Sequence, residues 1–376
     1  MKRYLVIVAG LALAASAATA DVTRLEHRSV AKRAEKSAKD GRALADRAAV
    51  KPHQPSATGS QALTDGSNFE YFINTDITFN TSSSASGAAS EASYTGPVNA
   101  DTSGGGTVSS TLNDAFDGYE TICVSFDGDI GPCVSGGGGP GEVGGTVTMY
   151  NQNGPATLSC SGREVMLPTQ AMGSLNVSRR VFVPTNDAFA RWLNVFTNTG
   201  AVPVTFNMIT GNNLGSDANT TIVTTSDGDA TVETTDTWAT TFQNWSGSTS
   251  SDPRLGHVFQ GPGAAVSMAG VSFANGDDNP FWYYTITLQP GQTGIIMNFV
   301  TGQPTRAAAA AKAAELVGLP DTTATCMSTA EQAQVLNFAA TQPSVIEVPT
   351  LSGLGLAALA SLLALGSLLL LRRRSA

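Results

Sequence analysis

Val202-Pro203-Val204-Thr205-Phe206-Asn207-Met208 places four apolar side chains, Val202, Val204, Phe206 and Met208, on one side of an extended chain, with Thr205 and Asn207 on the other. A period of two is the mark of a β-strand with one face turned to a core. The same texture runs outward in both directions. Before it come 71–79, with Ile73, Ile77 and Phe79 on one face, then 121–126, 145–150, 177–183 and 190–197. After it come 220–225, 237–243, 281–288 and 294–301. Gly, Asn, Asp and Pro break the segments, and Leu288-Gln289-Pro290-Gly291-Gln292 has Pro and Gly where a type II turn wants them. Many short strands with no helix between them predict an all-β fold, an antiparallel β-sandwich in one large or two small units, and exclude βαβ units. No repeat of fixed period occurs, which argues against propellers and solenoids. Two Ser/Gly-rich stretches, 81–110 and 136–145, read as surface loops or linkers.

The β texture gives way after residue 303. An Ala-rich run over 305–317, with Pro304 before it and Gly318 after it, predicts one helix. Ser328-Thr329-Ala330-Glu331 is a capping box that predicts a second, reaching about Ala339. Leu316, Val335, Leu336 and Phe338 are expected to pack on the sandwich edge.

Charge divides the chain of 376 residues, whose formal net charge is −9. Residues 1–20 carry +2; 21–60 carry +4, from nine basic and five acidic residues; 61–350 carry −18, from seven basic and 25 acidic; the remainder carries +3. So acidic a body speaks against a nucleic-acid partner, because phosphate binding needs a basic face. The basic helical arm and linker, 21–60, reads either as a solvated spacer or as a polycation that docks on acidic glycan, lipid phosphate or a neighbouring copy.

Both ends read as addresses. Lys2 and Arg3, a short apolar run, and the small residues Ala18 and Ala20 around Thr19 form a signal peptide over 1–20 for signal peptidase. Residues 351–371 are uncharged, about 31 Å as a helix, long enough for a single transmembrane helix. Arg372, Arg373 and Arg374 follow as a cytoplasmic stop, which leaves the rest of the chain on the far side of the membrane. Val348-Pro349-Thr350-Leu351, then Ser352-Gly353-Leu354-Gly355-Leu356, precede the arginines. Motif, helix and arginine cluster together resemble the IPTL-CTERM sorting signals, relatives of PEP-CTERM, of exported proteins of Gram-negative bacteria. Val348 stands where that family usually has Ile, and Leu354 where it commonly has Trp. The resemblance covers about the last thirty residues. It implies that an exosortase-type membrane enzyme removes the helix and passes the protein to the cell surface or extracellular matrix; a plain tail anchor is the alternative. The organisation expected is thus a signal peptide (1–20), arm and linker (21–60), β-sandwich body (61–303), helical closing segment (304–347) and sorting signal (348–376).

Chemistry-bearing residues are sparse. In an oxidising compartment Cys123 and Cys133 close a natural loop, leaving Cys160 to meet Cys326; four cysteines allow three pairings. The pairs Asp127/Asp129, Asp227/Asp229 and Asp277/Asp278 are candidate calcium ligands or simple Asp turns, and no other cofactor is expected. No Gly-x-Ser-x-Gly occurs. His257 is the only histidine of the body and reads as structural. Trp192, Trp238, Trp245, Trp282, Tyr283 and Tyr284 form either a sugar-stacking platform or core. The reading that results is a non-enzymatic exported surface protein, structural, adhesive or matrix-associated. The alternative is a carbohydrate-binding or carbohydrate-active β-sandwich protein, with extracellular polysaccharide as partner.

Overall fold

The computed structural model describes residues 59–339, except 76–84, 131–132, 134–146, 152–154, 217–218 and 244–249. The first strands are β1 (Ser60–Thr64), β2 (Phe69–Asn74), β3 (Ala89–Tyr94), β4 (Val98–Asp101), β5 (Thr107–Ser110) and β6 (Thr121–Ser125). There follow β7 (Thr148–Met149), β8 (Thr157–Ser159), β9 (Glu164–Met172), β10 (Leu175–Phe182), β11 (Ala190–Asn198) and β12 (Val204–Gly211). The last are β13 (Thr220–Thr225), β14 (Trp238–Gln243), β15 (Arg254–Val258), β16 (Met268–Ser272), β17 (Phe281–Leu288) and β18 (Thr293–Gln303). Two α-helices close the described chain, α1 (Arg306–Val317) and α2 (Thr329–Gln334).

The strands form an eight-stranded sheet in the order β13-β14-β15-β18-β11-β10-β9-β8 and a five-stranded sheet in the order β16-β17-β12-β6-β7. A three-stranded sheet, β1-β2-β3, and the β4-β5 hairpin complete them, so the fold is mostly antiparallel β-sheet. Of the apolar face read at β12, Phe206 and Met208 are buried, whereas Val202 precedes the strand and is 68% exposed; Asn207 and Ile209 on the other face are buried too, so both faces of the strand are covered. Gly291 takes φ +74 and the Gln292 amide donates to Gln289 O at 2.9 Å, as the Pro-Gly spacing predicts.

The eight-stranded sheet is buried on both faces. Trp192 and Phe196 of β11, with Ile296 and Val300 of β18, face a core shared with the five-stranded sheet. The Phe196 ring lies 5.2 Å from Phe206 of β12, and Asn298 Nδ2 of β18 donates to Tyr284 Oη of β17 at 3.0 Å. The alternate residues Leu193, Ile295, Met297 and Phe299 face the other way, into a second core under the helices. Double burial explains why 294–301 is a nearly continuous apolar run rather than an alternating one.

Three expectations are corrected. The stretch 81–110 is not simply loop: it contains β3, β4 and β5, and Ala89, Ala92, Tyr94 and Ala100 are buried. Small side chains fit close-packed strands there, so a Ser/Ala/Gly composition did not mean solvation. The helices lie on a sheet face, not on an edge, since α1 packs over β14, β15 and β18 in the interior of the sheet order. Gly256 permits that approach, because a Cβ there would stand 2.9 Å from Ala309 O and 3.1 Å from Ala313 Cβ. The second helix ends at Gln334, not near Ala339. Its Ser328–Glu331 capping box is present, but the chain turns extended at Val335. The Leu336 amide then donates to Ile295 O at 2.9 Å, and Asn337 bonds both the amide and the carbonyl of Met297. Residues 335–337 take the place beside β18 that β15 leaves after pairing Val258 with Phe299, and sheet pairing outweighs helix propensity. The sequence gives no reading of strands β1, β8, β9 and β16, and marks β15 only as a strand-like run around His257.

Candidate functional site

The cysteines pair as Cys123–Cys133 and Cys160–Cys326, with Cα–Cα distances of 5.7 and 5.9 Å, and none is free. The first bridge is local. The second ties the turn after β8 to the turn before α2, and so fastens the closing helices to the body. Such bonds persist in oxidising compartments.

The paired aspartates serve their own turns. Asp127 Oδ1 accepts from Ser125 Oγ at 3.0 Å and from the Asp129 amide at 3.1 Å. Asp227 Oδ1 accepts from Thr225 Oγ1 at 2.7 Å and from the Asp229 amide at 3.2 Å. Asp278 Oδ1 accepts from Ser216 N and Oγ, joining two loops, while Asp277 Oδ1 caps the Asn279 amide. Among the described residues no three His, Cys, Asp or Glu side chains gather as a metal-binding group.

Half of the six aromatics stand in the core. Trp192, Trp282 and Tyr284 are fully buried between the sheets, where they pack with Tyr119 and Phe259; Trp238 and Tyr283 are half-buried, and Trp245 lies outside the described residues. His257 is also internal: Nδ1 is 2.9 Å from Tyr119 Oη and Nε2 is 3.0 Å from Thr241 Oγ1. Burial without a counter-charge pushes its pKa down to about 3, so the ring is neutral. Ala18, Ala20, Val348, Pro349, Thr350, Leu351 and Arg372–Arg374 lie outside the described residues. Among the described residues no helix is long and apolar enough to cross a membrane.

One perturbed carboxyl is a residue the sequence did not single out. Glu120, directly before β6, is fully buried with a backbone φ of +61, a region that a non-glycine residue seldom occupies. Its amide donates to Asn212 Oδ1 at 2.9 Å, and its carbonyl accepts from Arg179 Nη2. Neither carboxylate oxygen has a hydrogen-bond partner, although Arg179 Nη2 lies 3.8 Å from Oε2. Arg179 is spent elsewhere, with Nε on Asn194 Oδ1 at 2.9 Å and Nη1 on Ser86 O at 3.1 Å. Burial pushes the Glu120 pKa up to about 7 against the pull of the Arg179 charge and of the nearby Asn194 amide, and draws Arg179 down to about 10. Perturbed pairs of this kind cluster at functional sites. A faint signal was present: Arg179 sits in phase with buried Val177 and Val181, and Asn194 in phase with Trp192 and Phe196.

All seven cations of the region 61–350 are similarly committed. Glu164 bridges Arg180 at 2.8 Å and Arg191 at 3.2 Å, and Arg191 also reaches Thr323 O and Thr325 O. Arg180 additionally pairs with Glu331 of α2. Asp101 binds Arg254 at 2.6 Å and Arg306 at 2.7 Å, and both guanidiniums lie over the Phe242 ring, at 4.6 and 4.8 Å. Arg163 donates to Val183 O and Thr64 O, and Lys312 pairs with Asp187 and Glu315. The basic residues act as internal ties. A cleft beside Leu214, Ser216, Phe242, Gln243, Asp252 and Leu255 has about 10 Å³ of interior space, room for one water and too little for a sugar ring.

No family model and no curated protein matches the chain. Among solved structures, a polysaccharide lyase is 14% identical with a TM-score of 0.38, over 66% of this chain and 34% of that one, so the chain spans about a third of the lyase. The Slr1438 protein from Synechocystis is 10% identical with a TM-score of 0.35, over 67% of this chain and 100% of that one. A galactose mutarotase-like protein from Lactobacillus casei is 9% identical with a TM-score of 0.32, over 65% and 99%. Likeness this slight carries no argument for fold or chemistry.

Proposed function

We propose that the chain is an exported bacterial surface protein whose antiparallel β body, a two-sheet sandwich, serves a structural, adhesive or matrix-associated role. The observation that carries the reading is the use of all four cysteines in two bridges, which suits a protein that folds outside the cytoplasm. Burial of Trp192, Trp282, Tyr284 and His257 supports a body built for packing, since these are the side chains that a stacking or acid–base site would need at its surface. Export through residues 1–20 and processing at Val348-Pro349-Thr350-Leu351 by an exosortase-type enzyme complete the reading and rest on the sequence. Calcium at the Asp turns is not part of it. Mass spectrometry of both terminal peptides of the protein from its host tests the reading. A chain that begins at Asp21 and ends near Leu351 is expected. An intact stretch 351–376 would reduce the sorting signal to a plain anchor, and an intact N-terminus would remove export.

The second reading is a carbohydrate-directed protein on the same scaffold. What favours it in this chain is that Trp238 and Tyr283 are only half-buried and retain ring surface for a sugar face. Calorimetry against the host's own extracellular polysaccharide separates the two: binding that Tyr283→Ala and Trp238→Ala abolish would favour this reading, and no heat would favour the first.

A further inference from the structure

We propose that Glu120 is a proton-binding site inside the β core, and that its ionisation loosens the contact between the two larger sheets. The main chain at Glu120 is fixed from both sides, by Asn212 on its amide and Arg179 on its carbonyl, and the side chain is fully buried. It must be accommodated where it is. An ionised carboxylate there needs several donors, and a neutral acid needs fewer.

The surroundings supply few. The charged and titratable groups facing Glu120 among the described residues are Arg179 from β10, Tyr284 from β17 and Tyr119 from its own segment, with Tyr150 beside Arg179 and His257 behind Tyr119. Arg179 spends its hydrogen bonds on Glu120 O, Asn194 and Ser86. Tyr284 Oη donates to Phe259 O at 2.6 Å and accepts from Asn298 Nδ2 at 3.0 Å. Tyr119 Oη is engaged with His257. Asn194 Nδ2, buried and without a partner, is the remaining donor at hand. The upward shift of the carboxyl pKa follows from this geometry and places the proton's release near neutrality.

Loss of that proton leaves a charge between β6 and β10 that Arg179, the single Asn194 donor or entering water must answer. If Arg179 turns to it, the bonds to the Glu120 carbonyl, Asn194 and Ser86 are at stake. The first of those bonds joins the start of β6 to β10, and so the five-stranded sheet to the eight-stranded one, while the other two hold the guanidinium in place.

The test is a pH titration of the full chain labelled at glutamate carboxyl carbons, read by NMR. One carboxyl is expected to titrate near 7 and to vanish from the spectrum of Glu120→Gln; above that pH, amide exchange in β11 and β12 should speed up by more than the base-catalysed trend. An infrared difference spectrum of the unmodified protein across the same range needs no variant, and should show a buried carboxylate appearing near 7, above the Asp65 transition near 6. All glutamates titrating in the ordinary acid range, or core protection following only the intrinsic trend, would overturn the proposal.

Discussion

The two faces of the eight-stranded sheet solve the same problem with different material. Its outer face, under α1 and residues 335–338, is aliphatic and aromatic: Phe182, Phe189, Leu193, Met297, Phe299 and Leu316 meet there. Covalent and ionic fastening sits at its margin, in Cys160–Cys326 and in the Glu164 pair with Arg180 and Arg191. Its inner face carries polar groups into the middle of the apolar layer, with Glu120, Arg179, Asn194, Asn298 and His257 all buried. An apolar layer gains from every ångström of burial, whereas a polar one breaks even only if each group finds a partner. The outer layer should therefore respond to lost volume and lost tethers, and the inner layer to pH.

The largest expected effect is on the outer side. Replacing Cys160 and Cys326 by Ser removes a link spanning 166 residues, and loop entropy alone puts the loss at about 5 kcal/mol. The local Cys123–Cys133 link should cost about 3 kcal/mol, so denaturant titration of the two double variants ranks them. Equal losses would mean that the closing segment is held by packing rather than by its bridge. Phe299→Ala, in the apolar layer, is expected to cost about 4 kcal/mol at every pH, and a pH-dependent loss would break the contrast between the faces.

The inner side gives smaller effects of opposite sign. Glu120 binds its proton more tightly in the fold than in the unfolded chain, so its contribution is present below about pH 4.5 and is lost as pH rises through about 7. Glu120→Gln should therefore stabilise the protein at pH 8 by up to about 3 kcal/mol and do little at pH 4. His257 is the reverse case. Its folded pKa near 3 means that the unfolded chain takes up a proton first as pH falls below about 6.5, costing about 2 kcal/mol by pH 5. His257→Asn should flatten that acid limb, measured as melting temperature against pH. The two slopes oppose each other in the unmodified chain and separate only in the variants. Asp65, pushed up to about 6 by burial, adds to the Glu120 direction. The smallest effect is Ser328→Ala, which opens the capping box of α2 for about 1 kcal/mol and should leave the inner face untouched.

The difference between the faces is also the difference between what the sequence revealed and what it concealed. Strands such as β12, β13 and β17 were legible because alternation with turn residues between segments is a local signal. The capping box and the Cys123–Cys133 bridge were legible because each follows from a short spacing, and Cys160–Cys326 is the pair that remains. Strand β9 escaped because its outward positions include Met166 and its inward ones are interrupted by Pro168, leaving no clean period. Strand β15 shows only as a strand-like run, and its burial is hidden because Arg254-Leu255-Gly256-His257-Val258 buries an arginine and a histidine whose partners, Asp101 and Tyr119, lie more than a hundred residues away. Glu120 was invisible for the same reason. A lone carboxylate before a strand reads as solvated until Arg179 and Asn212 are brought to it. Partners distant in sequence leave no pattern in a window, and the Glu120 and Tyr119 contacts of the polar face are built from them.

The direct test of the account is peptide mapping of the exported protein, recovered from its host and digested without reduction. Two linked peptides, Cys123 with Cys133 and Cys160 with Cys326, are predicted, with no free thiol. Free cysteines, or Cys160 bonded to Cys123 or Cys133, would contradict both the fastening of the closing segment and the oxidising compartment on which the proposed function rests.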